Sequence, residues 1–109
     1  MKKLRYVVYE EDDEISVKDF DKYNGDITDA AINNGLKNGR FDVKGIYDSF
    51  EKAKNSLDSF YCTYDLRSGH GNVKFYYAKF YYIEEEMFDE DNEEWYGTGN
   101  YEFAKIENE

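Results

Sequence analysis

The run Val73-Lys74-Phe75-Tyr76-Tyr77-Ala78-Lys79-Phe80-Tyr81-Tyr82-Ile83 constrains the fold more than any other part of the chain. β-Branched and aromatic residues at this density favour extended backbone, and successive side chains of a strand point to opposite faces. Both faces then carry rings: Tyr76, Ala78, Phe80 and Tyr82 on one, Phe75, Tyr77 and Tyr81 with Lys79 on the other. Ala78 is the small residue a crossing helix needs, so its face is assigned to the core. Phe75, Tyr77 and Tyr81 are left as a candidate exposed stripe, unless the Tyr23 to Arg40 segment or a second copy of the chain covers them. Aromatic residues make up 19% of the chain, nearly half of its 40% apolar share, so the core must be built from rings. Tyrosine hydroxyls that enter it need hydrogen-bond partners.

The flanking signals complete an α+β pattern. Lys3 to Glu10 reads as a first strand that runs into Glu10-Glu11-Asp12-Asp13-Glu14, acids whose mutual repulsion favours an exposed turn. A second extended piece follows at Ile15 to Phe20. Tyr23 to Arg40, interrupted by Gly25, Gly35 and Gly39, holds a short helix around Ile27, Ala30, Ala31 and Ile32, capped by Asp26 or Thr28. Phe41 to Tyr47 alternates as a strand does, with a bulge at Gly45. Asp48-Ser49-Phe50-Glu51 has the spacing of a capping box, and the helix it opens, Ser49 to Ser59, places Phe50, Ala53 and Leu57 on one side. Phe60 to Leu66 forms a hairpin with the strand from Val73 through the turn residues Ser68 to Asn72. Glu85 to Gly99 is a loop or an extended hairpin tip, and Asn100 to Ile106 a last strand. The expected fold is a mainly antiparallel sheet of four or five strands, with one well-defined helix packed on one face and a short second helix, in a single domain spanning residues 1–109.

Charge sets the class of partner. Lys and Arg total 14 against 25 Asp and Glu, a formal net charge of -11. That field repels phosphates and attracts basic surfaces. No direct nucleic-acid binding is therefore expected, although aromatic sheets elsewhere stack single-stranded bases over a basic groove. The segment Glu84 to Glu94 carries the acids Glu84, Glu85, Glu86, Asp89, Glu90, Asp91, Glu93 and Glu94 with no base between them. If this run and the one from Glu10 lie near sheet ends, they form one negative ridge able to occupy a cleft shaped for phosphates. Trp95 and Tyr96 beside it are anchors of the kind that dominate interfaces. Those eight acids, Trp95, Tyr96, Phe75, Tyr77 and Tyr81 make up the expected partner-binding set.

Catalytic and cofactor chemistry find little support. Cys62 and His70 are each the only residue of their type: Cys62 alternates with strand neighbours, His70 sits in a glycine turn, and a dyad between them is disfavoured. Asp89-Glu90-Asp91-Asn92-Glu93 starts like a calcium loop, but Glu94 stands where the loop needs Gly and Asn100 where it needs a bidentate Glu. Gly97-Thr98-Gly99 and Gly69-His70-Gly71 lack the lysine of a phosphate loop. No cofactor, no metal and no enzymatic activity are expected. A lone cysteine forms no internal disulfide, no apolar stretch follows Lys2 and Lys3, and the most apolar window is far short of the ~20 residues that span a bilayer, so a cytoplasmic protein is expected.

In its short length, Lys in preference to Arg, abundant Asn and Tyr, acidic runs from Glu10 and Glu84, and the strand-helix-hairpin from Phe41 to Ile83, the chain resembles small acidic proteins carried by phages and other mobile elements, including anti-CRISPR proteins. The resemblance is one of composition and assigns no residue a role. It implies a protein-binding inhibitor of a nucleic-acid-handling defence enzyme, such as a CRISPR effector, acting in the bacterial host cell by occupying a basic site. The competing expectation is a small adaptor or a homodimer with a tyrosine-lined interface.

Overall fold

The computed structural model describes residues 3–33 and 40–107. It is organised along one 16-residue strand, β4 (Lys74–Asp89), which absorbs the whole aromatic run and the acids that follow it. β1 (Leu4–Ser16) pairs antiparallel along nearly all of β4, from Leu4 opposite Met87 to Ser16 opposite Phe75. β2 (Arg40–Tyr47) pairs with the other edge of β1. β3 (Thr63–Ser68) and β5 (Glu94–Phe103) share the second edge of β4: β3 lies along Lys74 to Lys79, β5 along Tyr82 to Asp89. Among the described residues the fold is α+β, five antiparallel strands with the helices α1 (Val17–Lys22), α2 (Ile27–Asn33) and α3 (Phe50–Leu57).

The acidic run Glu10 to Glu14 is not the exposed turn its charge implies. It forms the middle of β1, and the pleat separates its members: Glu11 and Asp13 are buried on one face, while Glu10, Asp12 and Glu14 take the other. The ladder to β4 outweighs the repulsion because alternation halves the charge on each face. Beyond it the chain does not stay extended to Phe20. Ser16 accepts a hydrogen bond from the Asp19 amide at 3.1 Å and starts α1 instead. Asp26 caps α2, accepting from the amides of Thr28 and Asp29 and from the Thr28 hydroxyl, which holds its carboxyl below the ordinary range. Ser49, one residue after the expected acidic cap, caps α3 through the Lys52 amide; Asp48 pairs with the Lys52 ammonium at 3.0 Å. The bulge expected at Gly45 falls at its neighbour, since Gly45 opposes Val8 and Val43 opposes Tyr9. Gly35 and Gly39 lie outside the described residues.

Directly opposed residues of an antiparallel pair share a face, so the register sorts the side chains. The even-numbered face of β4 carries Tyr76, Ala78, Phe80, Tyr82, Glu84, Glu86 and Phe88, opposite Ile15, Asp13, Glu11, Tyr9, Val7 and Arg5 of β1. Ala78, Phe80 and Tyr82 are buried there, as the assignment of that face to the core anticipates. The helix above them is not the expected one. Phe20 of α1 lies on Tyr76 with ring centroids 4.1 Å apart, and α2, with Ile27, Ala30 and Ala31 buried, packs beside α1. α3 covers the opposite face, where the Phe50 ring meets Tyr6 edge-on at 6.0 Å and Ala53 and Leu57 join Val8 and Ile83 in the core. The sheet is thus covered from both sides, and a single helix on one face does not describe it. The hairpin expected at Ser68 to Asn72 is present, with a 3-10 turn at His70–Asn72 and Gly71 at φ 68°.

Burial separates the two ends of this packing energetically. Leu57→Ala in α3 is expected to lower the urea-unfolding free energy by about 2–5 kcal/mol, because it empties a fully buried site. Ile46→Ala on the edge strand β2, where the side chain is 56% exposed, is expected to change it by less than about 1 kcal/mol.

Candidate functional site

β4 and β5 continue the sheet as a hairpin whose turn, 90–93, projects beyond the other strands. Glu93 closes it in the left-handed region at φ 52°. Asp89 accepts hydrogen bonds from the Asn92 side chain at 2.8 Å and from the Asn92 and Asp91 amides, which hold its carboxyl below the ordinary range. Glu90, Asp91, Glu93 and Glu94 are exposed. The hairpin tip is therefore a cluster of exposed carboxylates on a hydrogen-bonded turn, and Glu85 to Gly99 is an extended hairpin, not a loop.

Not all of the expected acidic set is at this surface. Glu84 and Glu86 point to the even face and are buried. Arg5 donates to Glu86 Oε1 at 2.8 Å and the Tyr9 hydroxyl to Oε2 at 2.7 Å; Tyr82 donates to Glu11 at 3.2 Å. Burial first, then the adjoining carboxylates, push the phenols of Tyr9, Tyr82 and Tyr101 above their ordinary value. Gly97 lies against the Glu84 carboxylate so closely that a Cβ there would collide with it. These acids belong to the interior, held by hydroxyls and a guanidinium. Treating Glu84 to Glu94 as one solvated run missed the pleat.

On the odd face the hairpin presents a different row. Leu4, Met87 and Tyr96 lie side by side across β1, β4 and β5. Leu4 is 39% and Tyr96 47% exposed, and the Tyr96 hydroxyl donates to the Met87 sulfur at 3.0 Å. Asp89 opposite Glu94 bounds this row toward the tip, and Glu85 opposite Tyr6 bounds it on the other side. Glu85 is enclosed by an irregular stretch of β5: Thr98 and Asn100 both donate to its Oε1, at 2.9 and 3.0 Å. The Asn100 and Thr98 donors hold its carboxyl below the ordinary range. Leu4 and Tyr6 escape sequence reasoning because only the β1–β4 register brings them here.

Trp95 does not join Tyr96. Neighbours in a strand face opposite ways, and Trp95 lies on the even side between Phe88, 5.2 Å away, and the Arg5 guanidinium, 4.3 Å above its ring. The expected stripe of Phe75, Tyr77 and Tyr81 is half-buried and distant. Tyr81 stacks on Phe60 at 4.5 Å; burial, followed by a hydrogen bond to Glu10, pushes its phenol up to about 12. The Arg67 guanidinium covers Tyr77 at 4.2 Å. Fourteen positions of β4 separate Phe75 from Asp89, about 46 Å at about 3.3 Å per residue. Charges of both signs are interleaved there: Glu14 and Asp65 lie opposite Tyr77, Arg67 pairs with Asp65 at 2.8 Å and Lys79 with Glu10 at 3.7 Å, so these rings sit among paired charges, apart from the acids of the hairpin tip. Cys62 is buried, with its thiol pushed up by desolvation. The length of β3, about 20 Å, separates it from the exposed His70, so no dyad forms. No helix among the described residues is long and apolar enough to cross a membrane.

The buried acids have a pH signature. Burial first, and then the neighbouring Asp12 charge, raise the Asp13 carboxyl above its ordinary 3.8, against a hydrogen bond with Glu11. In the window between the unfolded and folded values the native state binds the extra proton, so stability falls as pH rises through it. Asp13→Asn is expected to raise the thermal midpoint at pH 7, and that gain should shrink as pH approaches 4, measured by circular dichroism melts across the range.

No protein-family model, curated protein or solved structure matches the chain.

Proposed function

We propose that the chain is a non-enzymatic binding protein that occupies a basic, phosphate-binding surface of a nucleic-acid-handling enzyme, as an anti-CRISPR-like inhibitor does. The odd face of the β4–β5 hairpin is its contact. The observation that carries this reading is the row Leu4, Met87 and Tyr96, exposed at Leu4 and Tyr96 and half-buried at Met87, set between the carboxylate tip at Asp89 to Glu94 and the ionised Glu85. An apolar centre ringed by one sign of charge is how an interface combines burial with steering toward an oppositely charged partner. The surplus of acids over bases adds a long-range field of the same sign. Of the residues expected from sequence, Asp89, Glu90, Asp91, Glu93, Glu94, Glu85 and Tyr96 belong to this contact. Glu84, Glu86 and Trp95 support it from within, and Phe75, Tyr77 and Tyr81 lie outside it.

The immobilised protein, exposed to a lysate of its source cell, is expected to retain a nucleic-acid-binding protein that short duplex DNA releases and that salt releases steeply. Replacing Glu90, Asp91, Glu93 and Glu94 by their amides should abolish that retention, while Tyr77→Ala should leave it intact. Capture unaffected by the four amide substitutions, or a captured protein that DNA does not displace, would refute the reading.

A further inference from the structure

Next to the apolar row, between the N-terminal end of α3 and β5, lies a cleft of about 220 Å³. Tyr6 and Phe50 form its aromatic wall, Ile83 its floor, and Glu85, Asn100 and Glu102 its polar rim. Three properties make it unlike an ordinary surface dimple. Phe50 leads α3 yet stays 44% exposed, so its ring is held at the cleft by the edge-on contact with Tyr6 and not by the core. Glu85 is half-buried, its carboxyl held below the ordinary range by the Asn100 and Thr98 donors and, further, by the Tyr6 hydroxyl, and no lysine or arginine among the described residues pairs with it. Glu102 stands at the mouth, its carboxylate 4.0 Å from the Lys54 ammonium, the limit of an ion pair.

An aromatic wall facing a fixed carboxylate is the chemistry that holds an organic cation: the ring faces attract it through their quadrupole, and the carboxylate supplies directional acceptors. We propose that this cleft receives one cationic side chain of the partner protein, an arginine in preference to a lysine. The guanidinium is planar, so it lies flat on a ring while its edge bonds to a carboxylate, and it is more weakly hydrated than an ammonium, so it enters a half-buried site at lower cost. The proposal deepens the reading of the hairpin as a contact for a basic surface and rests on it: the cleft shares the odd face with Leu4, Met87 and Tyr96 and gives that contact a specific anchor.

The test uses the intact protein and three small probes, N-acetyl-arginine methylamide and its lysine and citrulline counterparts. Proton–nitrogen correlation spectra are followed at the amides of Ile83, Asn100 and Glu102. The arginine probe is expected to give saturable shifts at these amides with a Kd on the order of millimolar, and upfield movement of its own δ-methylene protons over the rings. The lysine probe should bind more weakly and the uncharged citrulline probe not at all. Phe50→Ala and Glu102→Gln, both at exposed positions, should each weaken arginine binding about three- to tenfold; Glu85→Gln should remove it, with the unchanged remainder of the spectrum reporting an intact fold. Equal shifts from citrulline and arginine, lysine binding as well as arginine, or shifts confined to Glu90 to Glu94 would each overturn the proposal. The fourfold amide variant of the tip should keep the cleft's response, so loss of partner capture and loss of arginine binding are separable results.

Discussion

The antiparallel pairing of β1 with β4 is the constraint on which the rest of the molecule depends. It runs from Leu4–Met87 to Ser16–Phe75 without a break in register, so each residue of the first acidic run has its face decided by its partner in the aromatic run. Glu11 lies opposite Phe80 and Asp13 opposite Ala78. Two carboxyl groups are thereby taken into the interior, a transfer that is costly unless hydrogen bonds replace water. Tyrosine supplies one to Glu11, and Asp13 shares a hydrogen bond with Glu11. The abundance of tyrosine and the abundance of acids are two aspects of one design: Tyr82 reaches Glu11, and Tyr9 with Arg5 reaches Glu86. A leucine-rich core of the same volume has no donors to offer.

The same ladder partitions the surface. α3 seals the middle of the odd face over Val8 and Ile83, so the rings near Phe75 and the carboxylates near Asp89 are separated by a helix as well as by distance. The even face is closed over its Ile15 end by α1 and, at the hairpin, by its own side chains packed on Arg5. The outer part of the hairpin is left open on the odd side, with acids at its tip. At the opposite edge of the sheet β2 leaves Val43 and Ile46 exposed.

Period-two patterning was legible wherever it was uninterrupted. The strands from Lys3, Phe41 and Val73, the hairpin turn at Ser68 to Asn72 and the α3 helix can all be read from residue type and spacing. Charge misled where it conflicted with pairing. Glu10 to Glu14 and Glu84 to Glu86 look solvated because five or three acids in a row repel one another, and nothing local records that a long partner strand will divide them between two faces. The candidate site was half legible. Acid density singles out Asp89 to Glu94, but the inclusion of Leu4, Tyr6 and Phe50 and the separation of Trp95 from Tyr96 follow from register, which is a property of two segments far apart in sequence.

The chain has one tryptophan, and it is held between Phe88 of β4 and the Arg5 guanidinium of β1. An indole clasped in this way senses whether the outer hairpin is seated on the first strand. Its emission therefore reports local detachment of that arm separately from loss of the helices, which far-ultraviolet dichroism records. A built-in optical probe lies a single residue from Tyr96, on the reverse side of the surface assigned to contact, positioned to register events there without obstructing them.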